Sequence, residues 1–171
     1  QITAGRELLE SDARWSILLA LTQSGKSGTY LWMACEAIRL GKFSKVAIVT
    51  GISDTSLRDQ TSDNIKRAIR AYVRVTSVSG FITMSIGDLH IMDALDIFEE
   101  AIHSYFSQDL KHIVDLRNTL VIHEEAHYAQ DIKNRPWKEV FAGKMGLEGM
   151  VPSAGNMHRL CERNMAIVSV S

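Results

Sequence analysis

Apolar positions along the chain fall into two alternating patterns, short continuous runs and stripes at helical spacing. Residues 15–21 form an apolar run that stops at Thr22-Gln23-Ser24-Gly25, and residues 45–50 hold Val46, Ala47, Ile48 and Val49. Both read as buried strands, as do residues 81–86, 119–123 and 165–170. Residues 27–40 carry Tyr30, Leu31, Ala34, Cys35 and Ile38 at helical spacing, with Gly41 as a stop. A second helix is predicted over residues 55–73, with Asp54 as its candidate N-cap. A third is predicted over residues 93–106, where Leu95, Phe98, Ile102 and Tyr105 or Phe106 line one side. Residues 142–156, with Gly143, Gly146, Gly149 and Gly155, are expected as a loop, and residues 157–163 as a short helix. Strands that are continuously apolar and alternate with helices predict an α/β fold, a mostly parallel sheet with helices on both faces.

Composition bounds this picture without redirecting it. A chain of 171 residues with 46% hydrophobic and 23% charged residues is ordinary for one globular domain, and no linker or repeat divides residues 1–171. A net charge of -1 supplies no chain-wide electrostatic footprint for nucleic acid. Cys35 and Cys161 match no metal spacing, and Cys35 sits among apolar residues as a core thiol. That usage fits a reducing, intracellular compartment, cytoplasmic or nuclear. No apolar run approaches the roughly 18 residues of a membrane span, so no membrane partner is expected. The absence of an initiator Met and the apolar run up to Ser171 suggest a piece of a longer protein.

The chemistry concentrates at two strand ends. After the first run come Thr22, Gln23, Ser24, Gly25, Lys26, Ser27 and Gly28, and then a helix. Strand, loop and helix in this order let backbone N–H groups wrap phosphate oxygens, while the helix N-terminus adds partial positive charge. Lys26 is placed to reach the β- and γ-phosphates of a nucleotide, and Ser27 to offer its hydroxyl to Mg²⁺. Ala20 stands where the usual pattern of such loops begins with Gly. The second end is Thr119-Leu120-Val121-Ile122-His123-Glu124-Glu125-Ala126-His127, in which an apolar strand runs into two carboxylates. Tandem strand residues point to opposite faces, so the two carboxylates take different roles. Glu124 suits holding Mg²⁺ through water, and Glu125 suits orienting and deprotonating an attacking water. His123 reads as a packing histidine. His127 has two readings, coupling nucleotide state to the next motif or simply opening a helix. Pro136 stops a helix, and Trp137 reads as a core anchor.

Together the two motifs resemble the first RecA-like domain of superfamily-two helicases and translocases, the DEAD/DEAH-like ATPases. Val121 to His127 is similar to that family's strand followed by Asp-Glu-Ala-His, with Glu124 in place of Asp. The resemblance implies a RecA-like P-loop NTPase fold in which the strand ending near Ser171 lies between the phosphate-loop strand and the Glu124 strand. It implies that Ser169 and Ser171, at the start of the family's Ser-Ala-Thr motif, join His127 in coupling hydrolysis to movement. By the same analogy Thr50, Gly51 and Gln60 face a nucleic-acid strand, and Gln1 stands where the family reads adenine.

The expectation that follows is an ATP-binding and hydrolysing motor domain of a helicase-like translocase. ATP and Mg²⁺ serve it, DNA or RNA is its partner, and a second RecA-like domain outside these residues closes over the nucleotide. Two other readings share these motifs. One is the motor of a viral packaging machine or a restriction-type enzyme. The other, left open by Ala20 and Glu124, is a non-catalytic nucleotide-binding interaction module.

Overall fold

A computed structural model describes residues 2–19, 25–50, 55–78, 91–106, 116–124, 142–143, 145–148 and 151–171. In chain order the elements are α1 (Ile2–Glu10), β1 (Trp15–Leu18), α2 (Lys26–Arg39), β2 (Lys45–Thr50), α3 (Thr55–Val78), α4 (Ile91–Ala101), β3 (Ile102–Phe106), β4 (Thr119–Glu124), α5 (Ala154–Glu162) and β5 (Ala166–Val170). The strands form one five-stranded sheet in the order β1-β5-β4-β2-β3. Every neighbouring pair is parallel. β5 therefore lies between β1 and β4, the position the sequence resemblance implied.

Alternation within the strands divides the core in two. Val46, Ile48, Leu120, Ile122, Val168 and Val170 point to one face, where residues of α1, α2, α3 and α4 complete a large cluster. Ala47, Val49, Val121 and Ile167 point to the other, against Leu160 of α5 and against Met145 and Leu147. Sheet residues buried on both faces explain why β2, β4 and β5 read as unbroken apolar runs.

Several predicted boundaries change. The helix predicted over residues 93–106 is two elements, because α4 ends at Ala101 and Ile102–Phe106 pairs in parallel with β2. Ile102, Tyr105 and Phe106 fit a helical stripe, but Ile-His-Ser-Tyr-Phe is also β-prone, and the open edge of β2 supplies a backbone ladder. The predicted strand over residues 81–86 lies outside the described residues. α5 begins three residues before its predicted start. The Ser153 side chain caps it by accepting from the Asn156 backbone N–H at 3.2 Å. α1 was not predicted at all. Its Gly5 lies against the Trp32 ring, which a Cβ would approach to 3.0 Å, so α1 is held by close packing on α2.

Described residues of the glycine-bearing segment before α5 are hydrogen-bonded to Asn156. Asn156, fully buried, accepts from the Glu148 backbone N–H at 2.8 Å. Its amide donates to the carbonyls of Glu148 and Val151. This satisfaction of buried polar groups sets Met145 and Leu147 into the second core. Among the described residues no helix is long and apolar enough to cross a membrane.

Candidate nucleotide and metal site

α2 opens at Gly25, which has φ 79° and ψ 27°. This left-handed conformation suits a residue with no Cβ, and it turns the chain into the helix without a side-chain cap. Gly25 itself offers the first-turn N–H groups no side-chain oxygen of the kind Ser, Thr, Asp or Asn usually supplies at this position. Lys26 is half-buried, and Ser27 and Gly28 are exposed. Thr29, buried, turns its hydroxyl back to the Gly25 carbonyl at 3.3 Å. Ala20, Thr22, Gln23 and Ser24 lie outside the described residues.

Glu124 ends β4 and pairs in register with Thr50 of β2. It is half-buried, and its Oε1 accepts a hydrogen bond of 2.8 Å from the Tyr30 hydroxyl. That bond joins the first turns of α2 to the acidic strand tip across 94 residues of sequence. It had no signal in the sequence analysis, where Tyr30 was a core position of a helical stripe. Glu125 and His127 lie outside the described residues.

One row across the sheet carries the remaining polar groups on the second face. Ile17, Ser169, His123, Val49 and Tyr105 are successive register partners from β1 to β3. Burial drives the His123 pKa down to about 4, so its imidazole is neutral at pH 7. This agrees with its reading as a packing histidine. Ser169 Oγ accepts from Trp15 Nε1 at 3.2 Å, and the Ser171 N–H donates to the Leu18 carbonyl at 3.1 Å. Both serines assigned to coupling are thereby tied to β1, the strand that precedes Gly25 in the chain. The strand pattern alone gives Trp15 no such role; the signal is its indole N–H, a donor in need of a partner.

Of the positions assigned to nucleic acid, Thr50 and Gln60 are described, and they differ in exposure. Thr50 is buried at 5% exposure rather than presented to a polymer. Its side chain shares the sheet face of Val46 and Ile48, which accounts for the burial. Gln60 is exposed on α3. Gly51 and Gln1 lie outside the described residues. Cys35 is buried, and that burial pushes its thiol up to about 12, while Cys161 is exposed. Both thiols are free.

A cavity of about 240 Å³ lies elsewhere, at the amino ends of the strands, bordered by Leu9, Arg14, Lys42, Phe43 and Asn164. In open α/β sheets ligands gather beyond the carboxyl ends. Gly25, Lys26, Ser27 and Glu124 occupy that end here. No protein-family model matches the chain, and neither a curated protein nor a solved structure matches it.

Proposed function

We propose that the chain is the ATP-binding and hydrolysing domain of a helicase-like nucleic-acid translocase, with a RecA-like P-loop fold. The observation that carries this reading is the juxtaposition of the α2 N-terminus, opened by left-handed Gly25 with no capping side chain of its own, with the Glu124 carboxylate at the end of β4. The placement of β5 between β1 and β4 supports it, because the serines assigned to coupling then stand between the two halves of the site.

In this reading the backbone N–H groups around Gly25 and Lys26 cradle phosphate oxygens. Lys26 places a positive charge against the charge that develops on the transferring phosphoryl. The Ser27 hydroxyl and the Glu124 carboxylate are hard oxygen donors. They fit Mg²⁺, which needs only one or two protein groups beside phosphates and water. When bound, the ion neutralises charge on the phosphate oxygens. Glu125 orients the attacking water and takes its proton. A second RecA-like domain and a DNA or RNA strand complete the motor.

Two variants of the full chain test the proposal. Lys26→Ala abolishes binding of a fluorescent ATP analogue. Glu125→Gln keeps that binding and loses nucleic-acid-stimulated phosphate release. Retained binding in Lys26→Ala overturns the phosphate-loop assignment. Unchanged phosphate release in Glu125→Gln overturns the catalytic one. Wild-type binding without turnover, even with nucleic acid and the closing domain present, selects the non-catalytic module instead.

A further inference from the structure

We propose that Tyr30 is a positioning residue for metal-bound nucleotide, its phenol fixing the Glu124 carboxylate in the place where that carboxylate receives Mg²⁺. The inference rests on the ATPase reading and deepens it. Tyr30 is 4% exposed, so its ring is clamped in the core and its hydroxyl has little freedom. It follows Lys26 and Ser27 at helical spacings of four and three residues, which puts all three on adjoining parts of one helix face. Its hydroxyl donates to Glu124 Oε1 at 2.8 Å, a hydrogen bond strengthened by the acceptor's charge.

The need for such a bond follows from Glu124 itself. The motif it resembles has Asp, and Glu adds one methylene and one rotatable bond. A carboxylate on a longer arm samples more positions and loses more freedom when it engages an ion. A rigid donor reaching from the phosphate helix removes that freedom beforehand. It also makes the reach of Glu124 depend on α2, the element that carries Lys26 and Ser27. Groups that orient a metal ligand typically change metal affinity about 10–100-fold when removed.

The test compares wild type, Tyr30→Phe, Glu124→Asp and the double variant in the full chain. For each, the Mg²⁺ concentration giving half-maximal tightening of a fluorescent ATP analogue is measured, with metal-free affinity and thermal midpoint alongside. Tyr30→Phe keeps the ring and its packing, and it raises the Mg²⁺ midpoint about tenfold while metal-free affinity is unchanged. Glu124→Asp raises it to a similar degree, because the shorter carboxylate loses the phenol, and adding Tyr30→Phe to it changes nothing further. A wild-type Mg²⁺ midpoint in Tyr30→Phe overturns the inference, as does the same rise in both backgrounds. If Tyr30→Phe proves too unstable to assay, Glu124→Asp decides alone: a rise supports the inference and an unchanged midpoint overturns it. Where wild type binds ATP, Lys26→Ala does not, and Tyr30→Phe matches wild type, only the Tyr30 inference fails. Where wild type shows no Mg²⁺-dependent nucleotide binding, the ATPase reading fails and takes the inference with it.

Discussion

The two ends of α2 are finished in opposite ways. At its carboxyl end Gly41, at φ 67°, closes a full capping motif: the Gly41 N–H reaches the Ile38 carbonyl and the Lys42 N–H reaches the Ala37 carbonyl. Beside it Glu36 accepts from Arg39 and from the Tyr72 hydroxyl of α3. Burial pushes the Glu36 carboxyl up, but these hydrogen bonds outweigh it and the net displacement is downward. At the amino end Gly25 is left-handed as well, yet it brings no capping side chain of its own, and Ser27 and Gly28 are exposed. The chain satisfies its own polar groups where the helix serves only the fold. At the amino end the N-cap residue has no side chain to do so, and in the proposed reading a phosphate is the partner.

Substitutions at the two ends should therefore move different observables. The largest effect is Lys26→Ala, which abolishes binding of the ATP analogue while leaving the denaturant midpoint where it was. A large loss of stability there would break the contrast. Next is Tyr72→Phe, which removes a hydrogen bond to a charged acceptor and costs about 1.5–3 kcal/mol in urea unfolding, with ATP-analogue binding unchanged. Gly41→Ala costs about 1–2 kcal/mol for the left-handed backbone alone. Its Cβ would meet nothing within 4 Å, so packing adds no further penalty.

The smallest effect is a pH dependence. The folded Glu36 carboxyl lies below its ordinary value of 4.5, so its stabilisation is complete above that value and is lost as pH falls through the folded value. The stability gap between wild type and Tyr72→Phe should accordingly narrow below pH 4.5. A gap that holds constant down to acid unfolding would place the Tyr72 contribution in packing instead.

How much of this was legible depends on whether the deciding contact is local. β2, β4 and β5 stood out because residues buried on both faces leave no polar interruption. α2 stood out because its core stripe and Gly41 lie within one helix. The division at Ala101 was not legible, since Ile102 and Tyr105 satisfy both periods and only the neighbouring edge of β2 selects the strand. α1 escaped because Gly5 weakens it as an isolated helix, while that same lack of a Cβ lets it seat on Trp32. At the candidate site Gly25, Lys26, Ser27 and Glu124 could be named from motifs. The Tyr30–Glu124 bond could not, because it exists only once β4 is laid beside β5 and under α2.

The Trp15–Ser169 hydrogen bond has a practical consequence. Indole emission responds to whether its N–H is engaged and to the local field around the ring. Trp15 belongs to the strand that precedes Gly25 and bonds to the strand beside β4, so its emission, isolated by replacing Trp32 and Trp137, should respond to the alignment of those two strands. Trp32, seated against Gly5 on the opposite side of the sheet, is a second emitter whose surroundings belong to the helical layer.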